Sequence, residues 1–184
     1  MSSTTSPTPP AGLRKATQAD TPGLTALRED AAVWLASRGI EQWTADWDDL
    51  AAAKLAAAID EERTWVVDDS GQILATVTIG GPDSDFWTSA DQPDSAFYVY
   101  RLTAARGAAG RRYGELLLDW VGECAEHAGR QWVRLDCWRT NTELHTYYER
   151  CRFRHVRTVE VPGRKSGALF ERSAAIRTYT AEAE

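Results

Sequence analysis

Long apolar runs, paired cysteines, a basic surplus and a histidine array are all missing from this chain, and each absence closes a class of function. The most apolar stretch, Leu50–Ile59, is interrupted by Lys54 and is too short to span a bilayer. The first twelve residues, MSSTTSPTPPAG, have neither a basic n-region nor an apolar h-region, so they are expected to be a disordered tail rather than a secretory signal. Cysteine occurs three times, at Cys124, Cys137 and Cys151, with no CxxC pair. An odd count without that spacing argues against a disulfide framework and against zinc, and reduced thiols point to the cytoplasm. His127, His145 and His155 share no triad spacing; they read as surface or packing residues, and no metal site is expected. Lys and Arg number 21 against 27 Asp and Glu, a net charge of −6, which excludes a general nucleic-acid binder.

What remains is an ordinary globular composition, 43% hydrophobic and 26% charged over 184 residues, enough for one core and too short for two large domains. One domain over residues 13–178 is expected, with short tails at 1–12 and 179–184. Charge is unevenly spread. Residues 1–95 hold six basic and sixteen acidic side chains, residues 96–184 fifteen and eleven. Between Ser95 and Glu115 stand Arg101, Arg106, Arg111 and Arg112 with no acid among them, a local patch suited to one small anionic ligand.

Periodicity and turn residues give the order of elements. A strand at Leu13–Thr17 is followed by a helix with Thr21 as N-cap, Pro22 at its first position and Gly39 as its stop. A link through Trp47 leads to an Ala-rich helix over Asp48–Ile59. Thr64–Val67 and Gln72–Ile79 form a hairpin through Asp68-Asp69-Ser70-Gly71. After a polar loop, Ala96–Leu102 is a strand, and Thr103–Gly110 is the loop that opens a helix ending near Ala128. Strand Gln131–Asp136, helix Thr142–Cys151 and strands Phe153–Val161 and Ala168–Ser173 complete the chain. The reading is an α/β fold, a central mixed and mostly antiparallel twisted sheet with about four helices, in the order β-α-α-β-β-β-α-β-α-β-β.

The loop after the strand Ala96–Leu102 carries the chemistry. In YVYRLTAARGAAGRRYG (residues 98–114) followed by Glu115-Leu-Leu-Leu118, a strand feeds a small-residue turn that opens a helix, where exposed N–H groups and the helix dipole attract a phosphate. This segment resembles the GNAT superfamily of acetyl-CoA-dependent N-acetyltransferases. The family's Arg/Gln-x-x-Gly-x-Gly/Ala motif falls without gaps on Ala109–Gly114, with Gly114 in place, Ala109 for the Arg/Gln and Arg112 for the middle glycine. An arginine there is expected to require negative φ. A second block, Asn141-Thr-Glu-Leu-His-Thr-Tyr-Tyr-Glu-Arg-Cys-Arg-Phe153, is similar to the family's Asn-x-x-Ala/Leu…Tyr-x-x-x-Gly-Phe signature, with Arg152 for its glycine.

The resemblance implies an acetyl-CoA-dependent N-acetyltransferase, with acetyl-CoA as co-substrate and no metal. By it, Leu102, Thr103 and Ala104 offer strand backbone to the pantetheine arm, Gly110, Arg111, Arg112, Tyr113 and Gly114 take the pyrophosphate, and Asn141 touches the cofactor arm. Tyr148, whose hydroxyl keeps its proton at neutral pH, becomes the acid that protonates the leaving thiolate; Tyr147 sits roughly 100° round the helix. A base is less well specified: Asp136, directly or through water, with Tyr98, Tyr100, Glu41 and Asp85 as alternatives and a structural cap as the other role for Asp136. The expected partners are a small-molecule amine acceptor and a second copy of the chain as a homodimer, not a membrane or general nucleic acid. Glu41 and Trp43 in the link, with Tyr98 and Tyr100, are the expected acceptor wall; indoles beside carboxylates favour a small cationic amine with an apolar part. A longer acyl-CoA or an aminoacyl-tRNA donor, and a catalytically silent acyl-CoA-binding module, are the alternative readings.

Overall fold

The computed structural model describes residues 7–40, 49–108 and 110–180. Eleven elements follow in the expected order: β1 (Leu13–Lys15), α1 (Thr21–Ser37), α2 (Asp49–Asp60), β2 (Thr64–Asp69), β3 (Gln72–Gly80), β4 (Ala96–Ala104), α3 (Tyr113–His127), β5 (Trp132–Trp138), α4 (Thr142–Arg150), β6 (Arg154–Thr158) and β7 (Ser166–Ser173). Short 3-10 turns at Gln18–Asp20, Ser89–Asp91, Pro93–Ser95 and Arg106–Ala108 lie between them. The strands form one mixed sheet in the order β1-β2-β3-β4-β5-β7-β6. β4 and β5 run parallel, while β1–β2, β2–β3, β5–β7 and β6–β7 are antiparallel. The chain divides into two compact units, one of residues 9–78 and 101–117, the other of residues 1–8, 79–100 and 118–184.

In the first unit the β2–β3 hairpin closes on Ser70 and Gly71, with φ of 54° and 91°. Left-handed backbone at both central residues matches the strand twist, and Asp68 Oδ1 accepts the Gly71 N–H at 2.7 Å. Helices α1 and α2 bury Leu24, Leu55 and Ile59 with Ala16 and Val66. α1 starts one residue earlier than the sequence suggests, at Thr21 with Asp20 as N-cap. The reason is local: Thr17 and Asp20 form a capping box, which ends β1 at Lys15 and tightens the chain into a 3-10 turn. Arg14 then clamps Asp20 at 2.8 Å and Asp68 at 2.8 Å.

In the second unit β5 lies between β4 and β7. Its register pairs Leu135 with Phe170 and Asp136 with Leu169. Because successive side chains alternate, Leu135, Cys137 and Phe170 share one face and Asp136 and Leu169 the other. β5 runs two residues past Asp136, since its ladder with β7 continues through a bulge to Trp138 and Ser166. β6 starts one residue later than expected because Phe153 still belongs to the helix end, its N–H bonding Tyr148 O at 3.0 Å, and it ends at Thr158, short of the expected Val161. Two buried ion pairs tie the strands down, Arg134 to Glu171 at 2.9 Å and Arg172 to Asp119 at 2.9 Å. Asp119 also accepts the Thr178 and Tyr179 N–H groups, both at 2.7 Å, so the C-terminal segment is pinned to α3.

Candidate active site

The loop expected to take a pyrophosphate lies in the first unit. Leu102 and Thr103 are half-buried at the end of β4 and Ala104 is exposed; the next N–H, on Ala105, donates to Leu74 O at 2.7 Å. The chain makes a 3-10 turn at Arg106–Ala108, passes Gly110 at φ 93° and enters α3 at Tyr113. A Cβ on Gly110 would meet nothing within 4 Å, so the glycine serves its backbone angle and not a close approach. Arg111 N–H bonds Ala108 O at 3.1 Å, and Leu116 N–H returns to Arg112 O at 3.1 Å. Tyr113, Gly114 and Glu115 open the helix, where first-turn amides lack intrahelical acceptors and the dipole is positive.

Two expectations are corrected here. Arg112 does not keep negative φ; it stands at +54°. The backbone has kept the left-handed shape a glycine favours, and the arginine carries the steric cost, roughly 1–2 kcal/mol for a residue with a Cβ. Its Nε approaches Glu115 Oε1 at 3.4 Å. Arg106, read as part of the charge around the phosphate, instead has its guanidinium over the Trp34 indole of α1, 3.6 Å from the ring centroid, with Arg38 at 4.9 Å from the same ring. Cation and π face attract strongly at that distance. Arg111 is exposed, with Nη1 3.2 Å from Tyr113 Oη and 3.9 Å from Asp69.

The same unit holds a pocket of about 200 Å³, lined by Leu24, Arg28, Ala51, Leu55, Thr76, Arg101 and Thr103. Arg101 is at φ 53° inside β4. Sequence reading placed Arg101 only within a basic patch and passed over Arg28; nothing in the α1 periodicity marks that arginine as pocket-facing.

In the second unit α4 presents Tyr148, 7% exposed. Its ring meets Phe153 at 5.7 Å, Phe170 at 6.0 Å and Tyr147 at 5.4 Å between centroids. Tyr147 is only half-buried. Burial pushes the Tyr148 phenol far above its ordinary pKa, with Cys137, Cys151 and Asp136 adding to the shift. No hydrogen-bond partner of its hydroxyl is found among the described residues. Burial and Asp136 likewise push the Cys137 thiol up to about 12, so it has no thiolate character at neutral pH. Asn141 is buried and caps α4, its Oδ1 accepting the Leu144 N–H at 3.1 Å.

Asp136 is half-buried on the opposite face of the sheet. Its carboxyl is raised above the usual range by burial first and also by Asp83, against the lowering influence of a Ser166 hydrogen bond and Arg164. Tyr100 donates to Gly81 O at 2.7 Å, and burial, then Asp136, raises its pKa. Tyr98 is 1% exposed; it donates to Pro93 O at 3.1 Å and accepts from Arg134 Nη1 at 3.3 Å. Both hydroxyls are thus engaged by the protein. Asp85 is exposed and pairs with Arg164 at 3.2 Å. The paired register of β4 and β5 spans Ala96–Trp132 to Tyr98–Arg134, while both strands continue beyond it. His145 Nε2 lies 2.8 Å from Trp138 O and its ring packs on Phe170, as does that of His155. Glu41 and Trp43 lie outside the described residues. Among the described residues no three His, Cys, Asp or Glu side chains group to hold a metal ion, and no helix is long and apolar enough to cross a membrane.

A family model described as the acetyltransferase (GNAT) family matches residues 26–153. The Bacillus subtilis (strain 168) protein described as the uncharacterized N-acetyltransferase YesJ is 25% identical over 135 residues, covering 71% of this chain and 74% of its own. Among solved structures, a GNAT-family acetyltransferase from Listeria monocytogenes 4b F2365 superposes with a TM-score of 0.71 at 20% identity, over 88% of this chain and 93% of its own. A structure of yncA from Salmonella typhimurium with its cofactor acetyl-CoA gives 0.63 at 14% identity, over 93% and 98%. At these identities the solved structures share the fold.

Proposed function

The chain belongs to the GNAT acetyltransferase family, and from that premise we propose that it moves an acetyl group from acetyl-CoA to the primary amine of a small molecule, within one domain spanning residues 13–178. Acetyl-CoA as donor is supported by yncA, the fold neighbour whose structure holds it. The residues present fit such a donor: Gly107, Ala108 and Gly110 are small, the first-turn amides of α3 lack intrahelical acceptors, and Arg111 and Arg112 bring positive charge. When bound, the donor supplies a thioester whose acyl carbon an amine can attack. Residues 110–114 hold its pyrophosphate, and Leu102, Thr103 and Ala104 offer backbone groups to the pantetheine arm, one of which polarises the thioester carbonyl. Asn141 steadies the arm.

The acceptor's ammonium first loses a proton to Asp136, directly or through water; the free amine then attacks the acyl carbon, and the second nitrogen proton passes to solvent as the amide forms. The raised pKa of Asp136 makes it a better base than an ordinary carboxylate. Tyr148 gives its proton to the sulfur as the carbon–sulfur bond breaks, and exchange with solvent restores both groups. The two work from opposite faces of β5, and direct attack in a ternary complex needs no acyl-enzyme; the Cys137 thiol, held protonated, is no rival nucleophile. The acceptor approaches as an ammonium ion, which the Asp136 carboxylate favours. Three free cysteines fit a reducing cytoplasm.

The observation that carries the reading is Tyr148, its ring packed on Phe153 and Phe170, its hydroxyl held protonated and without a partner among the described residues. The test is a thiol-release screen with acetyl-CoA against amines, polyamines, amino acids and antibiotics. Turnover with a primary amine is expected. Acetyl-CoA binding with no thiol release across the panel would make the chain a silent module, and failure to bind any CoA would remove the donor.

A further inference from the structure

We infer that Arg172 is the positioning residue for Tyr148: from β7 it grips the end of α4 and sets where the phenol points. The inference rests on the acid role proposed for Tyr148 for its kinetic consequence, and deepens that role by naming what aims the acid. Every group involved lies within residues 118–184 of the second unit. The Tyr148 hydroxyl has no partner among the described residues, so its direction is set by its ring and its backbone. The ring meets Phe153 edge-on at 5.7 Å, and the carbonyl accepts the Phe153 N–H at 3.0 Å. Both ties run to the residues that close α4. Arg172 holds those same residues in two ways. Its Nη1 donates to Cys151 O at 3.0 Å, a carbonyl past the helix end that no helical N–H satisfies. Its guanidinium carbon stands 4.9 Å from the centroid of the Phe153 ring, a cation–π contact.

Arg172 is itself fixed. Two residues beyond Phe170 on β7, it shares the sheet face on which Tyr148 packs. Its Nη2 donates to Asp119 Oδ1 at 2.9 Å, and Asp119 Oδ2 is held by the Thr178 and Tyr179 N–H groups. A planar guanidinium bound at both ends of its fork has one orientation, which a flexible ammonium does not reproduce. Arg172 and Asp119 are both buried. A buried ion pair is weak support for stability, since apolar residues of similar volume often hold a core as well. What this pair adds is direction, passed from α3 and the C-terminal segment through Arg172 to the last turn of α4.

Two variants of the full chain test this. Arg172→Lys keeps a charge opposite Asp119 but has no fork. Arg172→Met combined with Asp119→Asn removes both charges, so neither is left buried alone and the fold is kept. Each is labelled with fluorotyrosine and read by fluorine NMR, the line missing from Tyr148→Phe identifying position 148. That line should shift or split in both variants, while the lines of Tyr98 and Tyr100, assigned in the same way, hold. An unmoved line overturns the inference, whether or not the chain turns over. Thiol release from acetyl-CoA is then measured with the best amine. Arg172→Lys should lower kcat roughly ten- to a hundredfold, the scale of a small misplacement, at unchanged KM. In a Tyr148→Phe background it should lower kcat no further. An equal loss in both backgrounds, or a parent-like kcat beside a moved line, overturns the inference and keeps acetyl transfer. An undiminished kcat in Tyr148→Phe, or no release with any amine, overturns the reading beneath it, while the fluorine line still decides whether Arg172 aims the ring.

Discussion

Arg112 and Arg152 stand where the family motifs carry glycine, and both adopt left-handed backbone, φ 54° and 66°. Replacing each with glycine should therefore relieve strain. Arg152 gives the cleaner case. It is exposed at the end of α4, where its N–H bonds Glu149 O at 2.9 Å and the next N–H bonds Tyr148 O at 3.0 Å, a reversal glycine is suited to close. A Cβ in this conformation costs roughly 1–2 kcal/mol, whereas a glycine frees the unfolded chain by about 0.4–1 kcal/mol. Arg152→Gly should then stabilise by about 0.5–1 kcal/mol, raising Tm by roughly 1–4 °C for a chain of this length. Arg112→Gly gains the same backbone relief but loses the Glu115 pair, worth about 0–1 kcal/mol at its exposure, so its net effect should be near zero or slightly stabilising. Urea denaturation of both variants, with Arg152→Ala as the control that keeps the Cβ, measures the difference at unchanged m-value. Arg152→Gly no more stable than Arg152→Ala would refute the argument that strain is stored there.

Gly110→Pro forces φ near −65° where the loop needs 93°, so calorimetry should show acetyl-CoA binding lost, with Arg111→Ala weakening it. Asp20 is held at about 2 by the Arg14 hydrogen bond. Its folded pKa lies below the ordinary carboxylate value, so its contribution is present above pH 4 and lost as pH falls toward 2. Asp20→Asn should cost about 1–2 kcal/mol at pH 7, and denaturation curves should show the gap to the parent closing across that window. In α3, a Cβ on Gly122 would sit 2.7 Å from Ala174 O and 3.0 Å from Arg177 Nη1; Gly122→Ala should destabilise by about 1–3 kcal/mol, read as a fall in the denaturation midpoint.

Element order was legible because the signals are local. Ser70-Gly71 between β-branched runs specifies a hairpin, and Leu116, Leu117, Val121 and Ala125 repeat at helical spacing and are buried. Element ends were less so, since they depend on partners distant in sequence: β5 extends to Trp138 only because Ser166 is there to pair with it. The loop proposed for the cofactor and Tyr148 could be picked out because the family's residue types recur at fixed spacing. Arg106 could not be placed, since its partner, Trp34, lies 72 residues earlier in the chain. Nor could φ at Arg112, because side-chain identity only biases a backbone that the surrounding loop determines. Arg28 shows the same limit: one charged residue on an amphipathic helix reads as solvated until the strands beneath it are known.

The most direct measurement is the rate of thiol release from acetyl-CoA, with the best amine of the screen, in the parent and in Tyr148→Phe. The substitution removes only a hydroxyl with no described partner, so the fold and the acetyl-CoA Kd should be preserved. As the acid in the reaction, that hydroxyl should contribute roughly 10²–10⁴-fold: kcat falls by that factor, while Tyr147→Phe leaves it nearly unchanged. An undiminished kcat in Tyr148→Phe, or the loss appearing in Tyr147→Phe instead, would contradict the account.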